Sequence, residues 1–233
     1  MRYAWAFGAM ALGCALMAAL LPWWLAVPCA WFAVSFALAS AAYARVGPGF
    51  LGKRADGEIP LWSLFLNGPF LVLGLASMRM FHVHVPDAPW SEVAPGLILG
   101  RRPSRLDTER FRALGVTAIL DLCAELPATR ARTGREDYLS LPVLDYASPT
   151  PAQLDEAIRW IDAHRDGKVY VHCALGRSRS ATVVAAWRIA SGDGGSVDAL
   201  ERLIRTSHPP VNLMPSQRLV LEDWRRRRIG STS

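Results

Sequence analysis

The sequence predicts an α/β fold, a central sheet flanked by helices, preceded by an N-terminal helical membrane region. Three observations carry that reading. Tyr3 to Ala44 runs for 42 positions without Asp, Glu, Lys or Arg. Beyond residue 80, short β-branched runs alternate with stretches of helical periodicity. The run "VYVHC", 169–173, passes through a glycine-bearing loop into an apolar helix. The division expected is residues 1–80 for the membrane-associated part and 81–230 for the soluble domain. The formal charge of +6 over 233 residues averages two unlike materials.

One membrane crossing takes about 20 apolar residues, so the first uncharged run holds two helices. Pro22 marks the turn between them, and Trp23 and Trp24 suit the headgroup level. A cleaved signal peptide needs an apolar core of only about 7–15 residues, and this run is too long for one. A third uncharged segment, Ile59 to Met78, is interrupted by Asn67, Gly68 and Pro69. It reads either as a third spanning helix or as a broken one lying in the interface. Arg2 and the loop with Arg45, Lys53 and Arg54 carry the positive charge of a cytoplasmic face, so both ends of the hairpin are expected inside. The side on which the soluble domain lies then depends on whether the third segment crosses.

In the soluble part, Leu97 to Gly100 reads as an early edge strand after the turn "APG". Leu106 to Leu114 reads as a short helix ended by Gly115, and Val116 to Leu122 as a buried strand. A polar loop, Ala124 to Asp137, holds Arg130, Arg132 and Arg135. Tyr138 to Val143 is a second strand. Thr150 is placed to cap a helix with Pro151 at its first position, and Leu154, Ala157, Ile158 and Ile161 recur at helical spacing up to a stop at Gly167. Lys168 to His172 is a strand, and Ser178 to Ala190, Val197 to Arg205 and Ser216 to Arg228 are helices. This alternation predicts a sheet covered on both faces.

The chemistry concentrates in "HCALGRSRS". Between a strand and a helix, Ala174, Leu175, Gly176, Arg177 and Ser178 can curl so that successive N–H groups point inward and cradle a phosphate-sized anion. Cys173 sits at the bottom of that cradle, where amides, helix N-terminus and Arg179 favour the thiolate. Gly176 can adopt a backbone angle that other residues resist. His172 is placed to set the loop, and Ser180 to donate to the sulfur. The planar fork of Arg179 matches two oxygens of a phosphoryl group, a geometry that Lys cannot copy.

"HCALGRSRS" resembles the active-site signature of the cysteine-dependent protein-tyrosine and dual-specificity phosphatases: His-Cys, five residues, Arg, then Ser or Thr. Within them, "VYVHCALGRSRSAT" and "PSQRLVLEDW" (215–224) are similar to the mitochondrial-type phosphatases and their plant and bacterial relatives, some of which act on phosphatidylglycerophosphate. The likeness runs from about His82 to Arg228. It implies a protein-tyrosine-phosphatase-like sheet, Cys173 as the nucleophile that forms a cysteinyl-phosphate, Arg179 as the phosphate clamp, and Asp145 as the general acid. Asp145 lies 28 residues before Cys173, on a stretch able to fold over the loop. Its rivals are Asp137, which can instead hold a nearby arginine, and Asp121, which lies inside an apolar strand and suits a structural part.

The resemblance implies a phosphate-monoester hydrolase, and the apolar N-terminal run, which lies outside the likeness, makes it a membrane-anchored one. Its expected partners are a phosphorylated protein first, or an anionic phospholipid, and a bacterial inner membrane is the expected location. The different-class alternative is a silent phosphate-binding scaffold. Arg177 and the loop arginines can contact an anionic headgroup. Arg225 to Arg228 read as a solvated helix end, with lipid headgroups as the alternative; no recognition module for nucleic acid accompanies them. No metal or cofactor is expected. His82 and His84 alternate as in a strand, and the loop lacks the Gly-Lys-Ser/Thr ending of a nucleotide site. Cys123 reads as a strand-end core residue or as a partner for a reversible disulfide with Cys173.

Overall fold

The computed structural model describes residues 2–84, 88–193 and 195–230. The chain divides into two compact units. The first comprises Met1–Arg54, Glu58–Val85 and Ala124–Pro127, the second Ala55–Gly57, Pro86–Cys123 and Ala128–Ser233.

In the first unit, α1 (Arg2–Leu20) and α2 (Trp23–Ala41) form a hairpin that turns at Leu21 and Pro22. The far ends meet: Tyr3 packs on Tyr43 with ring centroids 5.6 Å apart, and the Ser40 hydroxyl donates to the Ala4 carbonyl at 2.7 Å. Trp5, Leu12, Leu16, Leu20, Trp23 and Val27 are exposed. Apolar side chains that face outward around both helices are what a lipid surround, not water, would favour. By length and composition both helices can span a bilayer, with mean hydropathy 1.7 for Arg2–Leu20 and 1.8 for Trp23–Ala44.

The third apolar segment is broken at Asn67 into α3 (Leu61–Leu66) and α4 (Gly68–His84). Pro69 has no N–H, so the Phe65 carbonyl loses its helical donor. Trp31 Nε1 of α2 donates to that carbonyl instead, at 2.7 Å. The Phe70 N–H is likewise taken by the buried Ser35 hydroxyl at 3.1 Å. The Ser63 hydroxyl donates to the Leu51 carbonyl at 2.6 Å and accepts from Asn67 Nδ2 at 3.1 Å. A break in an apolar helix is tolerated where neighbouring groups satisfy the freed backbone. His82 and His84 lie in the last turn of α4, not in a strand; a short apolar–His alternation fits either period, and the continuing helix decides.

The second unit is built on a five-stranded sheet in the order β1-β2-β5-β3-β4, with β1 Trp90–Ala94, β2 Leu97–Arg101, β3 Ala118–Cys123, β4 Asp137–Val143 and β5 Val169–Cys173. Only β1 is antiparallel to its neighbour. β2, read from sequence as an edge, lies inside the sheet because β1 folds onto it through the tight turn at Pro95 and Gly96 (φ 73°). Ile98, Ile119 and Tyr170 face one way, onto Phe111 of α5 (Thr108–Ala113). On the buried helical side lie α6 (Pro151–Ala163), α7 (Arg179–Ala190), α8 (Val197–Ser207) and α9 (Pro215–Gly230).

Local signals fix α6. Thr150 and Gln153 form a reciprocal capping box, Pro151 occupies the first turn, and Leu154, Ala157, Ile158 and Ile161 are buried. The helix stops at Ala163, short of Gly167, whose N–H closes a turn onto His164. β5 is buried at all five positions and lies between β2 and β3, so its C-terminal end opens at the middle of the sheet edge.

Candidate active site

Cys173 ends β5 and is 2% exposed; α7 begins six residues later with Arg179, 1% exposed. Burying a guanidinium requires partners, and Arg179 has them. Nη1 donates to the Val143 carbonyl at 2.7 Å and Nη2 meets Asp145 Oδ1 at 3.1 Å. Residues 174–178 arch between these two ends. The Ala174 carbonyl accepts from the Arg102 N–H at 3.3 Å, the Arg177 carbonyl from the Asn212 N–H at 2.9 Å, and the Ser178 carbonyl from both the N–H and the hydroxyl of Thr182, each at 2.8 Å. These bonds tie the loop's carbonyls to its surroundings, an arrangement in which successive amides can face an anion at its centre.

Gly176 has φ +70°, and a Cβ there would collide with the Gly100–Arg101 backbone at the end of β2. Both reasons demand glycine: a left-handed conformation and a close backbone approach. The Ser180 hydroxyl donates to Cys173 Sγ at 3.3 Å, as its place in the first turn of α7 allows.

Beneath the loop lies a buried polar layer. His172, Asp121 and Cys123 are fully buried, with potential ligand atoms within 4.8 Å of one another, and His172 Nδ1 lies 3.8 Å from Asp121 Oδ1. Asp121 Oδ1 accepts from the Cys123 N–H at 2.7 Å and Oδ2 from the Tyr138 hydroxyl at 2.6 Å. Both carboxylate oxygens are thus engaged inside the protein, which suits a structural support better than an open metal site. Burial, and then the neighbouring Asp121 carboxylate, push the Tyr138 hydroxyl far above the usual tyrosine range, so it stays a donor. Cys123 and Cys173 are both unbridged.

Asp145, two residues past β4, is 43% exposed at its side chain and reaches Arg179. Asp137 is turned elsewhere, 3.3 Å from His164 and away from the arginines expected to hold it; Arg132 stacks on Tyr138 instead, 4.4 Å from the ring centroid. At the other end of the chain, Arg227 pairs with Asp223, and Arg228 stacks on Trp224 at 5.2 Å and lies 3.8 Å from Asp155.

Two contributors escaped the sequence reading. Gln217 of α9 is fully buried: its Oε1 accepts from the Met214 N–H at 3.0 Å, and its Nε2 donates to the Ala147 carbonyl, also at 3.0 Å. The signal was the "MPSQ" start of α9, which has the spacing of half a capping box. Asp107 is the second. It accepts from the Ser104 hydroxyl at 2.7 Å and pairs with Arg101 at 2.9 Å, on the residue whose Cα partner in the sheet is Cys173.

A cysteine at the end of a central strand, under an amide loop closed by a buried arginine, defines a cysteine-based phosphatase hydrolysing phosphate monoesters. The comparisons with known proteins agree. The model of the dual specificity phosphatase catalytic domain matches residues 97–227, more than half the chain, and the chain belongs to that family.

Phosphatidylglycerophosphate phosphatase PTPMT2 of Arabidopsis thaliana is 32% identical over 190 residues, covering 77% of this chain and 81% of that protein. Dual specificity protein phosphatase 2 of Mus musculus is 38% identical over 103 residues, 43% of this chain and only 32% of that protein. Among solved structures, PTPMT1 in complex with PI(5)P aligns with a TM-score of 0.56 at 22% identity, covering 63% of this chain and all of that one, which bears on the fold alone. Tk-PTP in its active form aligns with a TM-score of 0.54 at 27% identity, over 60% of this chain and 97% of that one.

Proposed function

We propose that this chain is a membrane-anchored phosphatase whose site consists of Cys173, Arg179 and Asp145, and whose substrate is a lipid phosphate monoester presented at the bilayer surface. The Cys173 thiolate attacks phosphorus while the ester oxygen leaves with a proton from Asp145, giving a cysteinyl-phosphate. Asp145 then takes a proton from water as that water attacks the phosphorus, releasing inorganic phosphate and restoring the thiolate. Arg179 and the amides of residues 174–179 are aimed at the oxygens where charge grows. Ser180 donates to the departing sulfur in the second step.

One observation carries the choice of site: Asp145 and Cys173, 28 residues apart in sequence, are joined through Arg179, which immediately follows the cysteine's loop and pairs with Asp145 at 3.1 Å. The lipid reading is favoured by the extent of the likeness to the Arabidopsis phosphatidylglycerophosphate phosphatase, which runs over 190 residues, and by the apolar hairpin at the N-terminus. A phosphoprotein is the second reading, favoured by the higher identity, 38%, to the mouse dual specificity protein phosphatase over its shorter match.

Contacts within the catalytic unit support one membrane topology. Within it, the Gly57 carbonyl accepts from the Ala128 N–H at 2.7 Å, and the Asp56 carbonyl from Arg132 at 3.2 Å. Residues 55–57 precede the third apolar segment and the rest of the unit follows it. Both ends of that segment are thereby read onto one face of the membrane, which favours a broken helix that does not cross. The charge of Lys53 and Arg54 favours the cytoplasmic side for that face.

The deciding assay is phosphate release by the full chain in detergent micelles, beside Cys173→Ser. The substrates are micellar phosphatidylglycerophosphate, a phosphotyrosine peptide and a phosphothreonine peptide. Cys173-dependent release fastest from the lipid supports the proposal. Fastest release from a peptide moves the protein to phosphoprotein signalling, and release that survives Cys173→Ser removes Cys173 from the chemistry.

A further inference from the structure

The segment leading into α9, together with the helix's first turn, touches both halves of the site. The Asn212 N–H holds the Arg177 carbonyl of the phosphate loop at 2.9 Å. Gln217, five residues on, holds the Ala147 carbonyl at 3.0 Å, two residues past Asp145. The stretch between them is itself fastened. The Leu213 N–H donates to Glu201 Oε1 at 3.1 Å, and Arg218 pairs with both Asp198 and Glu201 of α8.

Gln217 stands at the third helical position, where Glu would serve the helix end as well or better: either side chain can accept from Met214, and a negative charge suits a helix N-terminus. Only the amide also donates. The second bond, to a carbonyl 70 residues away in sequence, is what a carboxylate cannot make. It falls on the loop that carries Asp145. Ala147 N–H bonds back to the Leu144 carbonyl at 3.0 Å, and Tyr146 between them is half-exposed with φ 58°, a left-handed angle that a non-glycine residue keeps only when its surroundings impose it.

We propose that Gln217 is a positioning residue for the general acid. By fixing the Ala147 carbonyl it sets the turn 144–147 and so the approach of the Asp145 carboxyl to the leaving oxygen, while Asn212 sets the phosphate loop from the same segment. The proposal rests on Asp145 being the acid. A misplacement of about 1 Å can cost as much as about 100-fold in rate, and an acid matters most when the leaving oxygen is a poor one.

The test compares 4-nitrophenyl phosphate, whose leaving group needs little help, with phenyl phosphate, whose leaving group needs the acid. Full-length protein in detergent is assayed as wild type, Gln217→Glu, Gln217→Leu, Asp145→Asn and each double variant. Gln217→Glu keeps the bond to Met214 and removes only the donor, which guards against a variant that fails to fold; unchanged orthovanadate affinity reports an intact phosphate loop.

The expected result is a kcat loss of about 10- to 100-fold on phenyl phosphate and under about threefold on 4-nitrophenyl phosphate. In the Asp145→Asn background, Gln217 changes should add almost nothing, because the two act through one proton transfer. Equal losses on both substrates, wild-type rates on phenyl phosphate, or losses that multiply with Asp145→Asn overturn the positioning role while leaving Asp145 as the acid. If Asp145→Asn itself shows no preference for the better leaving group, the acid reading falls and the role of Gln217 falls with it.

Discussion

Asp145 Oδ1 lies 3.1 Å from Arg179 Nη2, so the candidate acid rests on the guanidinium proposed to hold the phosphate. The Arg179 side chain is 1% exposed and that of Asp145 43%; the pair is a buried fork with a partly exposed partner at its mouth. Under the proposed mechanism an arriving phosphate would compete with Asp145 for the same N–H groups, and the carboxyl so displaced would be available to the ester oxygen.

That competition has a measurable consequence. Asp145→Asn removes the charge that competes for Arg179, so inorganic phosphate and orthovanadate should bind more tightly to the variant even as turnover falls. An ion pair with one exposed partner contributes about 0.2–1 kcal/mol, which sets the gain at up to about fivefold. Inhibition constants against 4-nitrophenyl phosphate would measure it; weaker vanadate binding in Asp145→Asn would mean that the pair helps build the phosphate site instead of guarding it.

Gly176→Ala should damage stability and activity together. The φ of +70° costs an alanine about 1–3 kcal/mol of backbone strain, and its Cβ would meet the rigid Gly100–Arg101 backbone. The end of β2 cannot retreat freely, since the Tyr170 hydroxyl bonds the Arg101 carbonyl at 2.6 Å and Arg101 pairs with Asp107. Denaturant unfolding in micelles, with vanadate affinity as the second reading, would separate this from a purely local effect. A variant of wild-type stability and affinity would show that the loop can shift away from β2.

The parts of this molecule legible in sequence are those whose causes are local. Thr150, Pro151 and the apolar positions of α6 announce a helix without help from the rest of the chain, and "HCALGRSRS" carries its loop geometry within nine residues. β1 is not legible although the turn that follows it is: "WSEVA" has a mixed pattern, three of its five residues are only half-buried and Glu92 is exposed, and its pairing with β2 is what makes it a strand. The same omission put β2 at the edge. Gln217 and Asp107 carry local capping signals, but their ties to the site were out of reach for another reason. Their partners, Ala147 and Arg101, are chosen by tertiary packing, and a backbone carbonyl as acceptor leaves no trace in side-chain identity.

Acid sensitivity should trace in part to Asp107. Burial alone would raise its carboxyl, but the Ser104 hydroxyl and amide, and then Arg101, outweigh it and hold the group below the usual carboxylate range. A folded-state value below the unfolded one of about 3.9 means that the stabilisation is present above that pH and is lost as pH falls through the folded value. Asp107→Asn, which keeps an acceptor for Ser104 and removes the charge, should therefore be less stable than wild type at pH 7. The difference should shrink toward pH 3. Unfolding midpoints at the two pH values test this; an equal deficit at both would assign the cost to geometry and not to charge.

The side of the membrane can be read by chemical labelling. Residues 55–57 pack into the catalytic unit through Gly57 and Asp56, and a Cβ on Gly57 would run into the ring of Tyr138, so this short stretch is seated and not merely adjacent in sequence. Leu106, 93% exposed on the catalytic unit, is a second reporting position. With the four native cysteines replaced, Ala55→Cys and Leu106→Cys in sealed vesicles should react with a membrane-impermeant maleimide from the same side. A spanning third segment would place Leu106 across the bilayer from Ala55, and labelling from opposite sides would require it. Same-side labelling leaves the break at Asn67 as the bend of a segment that enters and leaves by one face, its freed carbonyl at Phe65 and amide at Phe70 satisfied by Trp31 and Ser35 of α2.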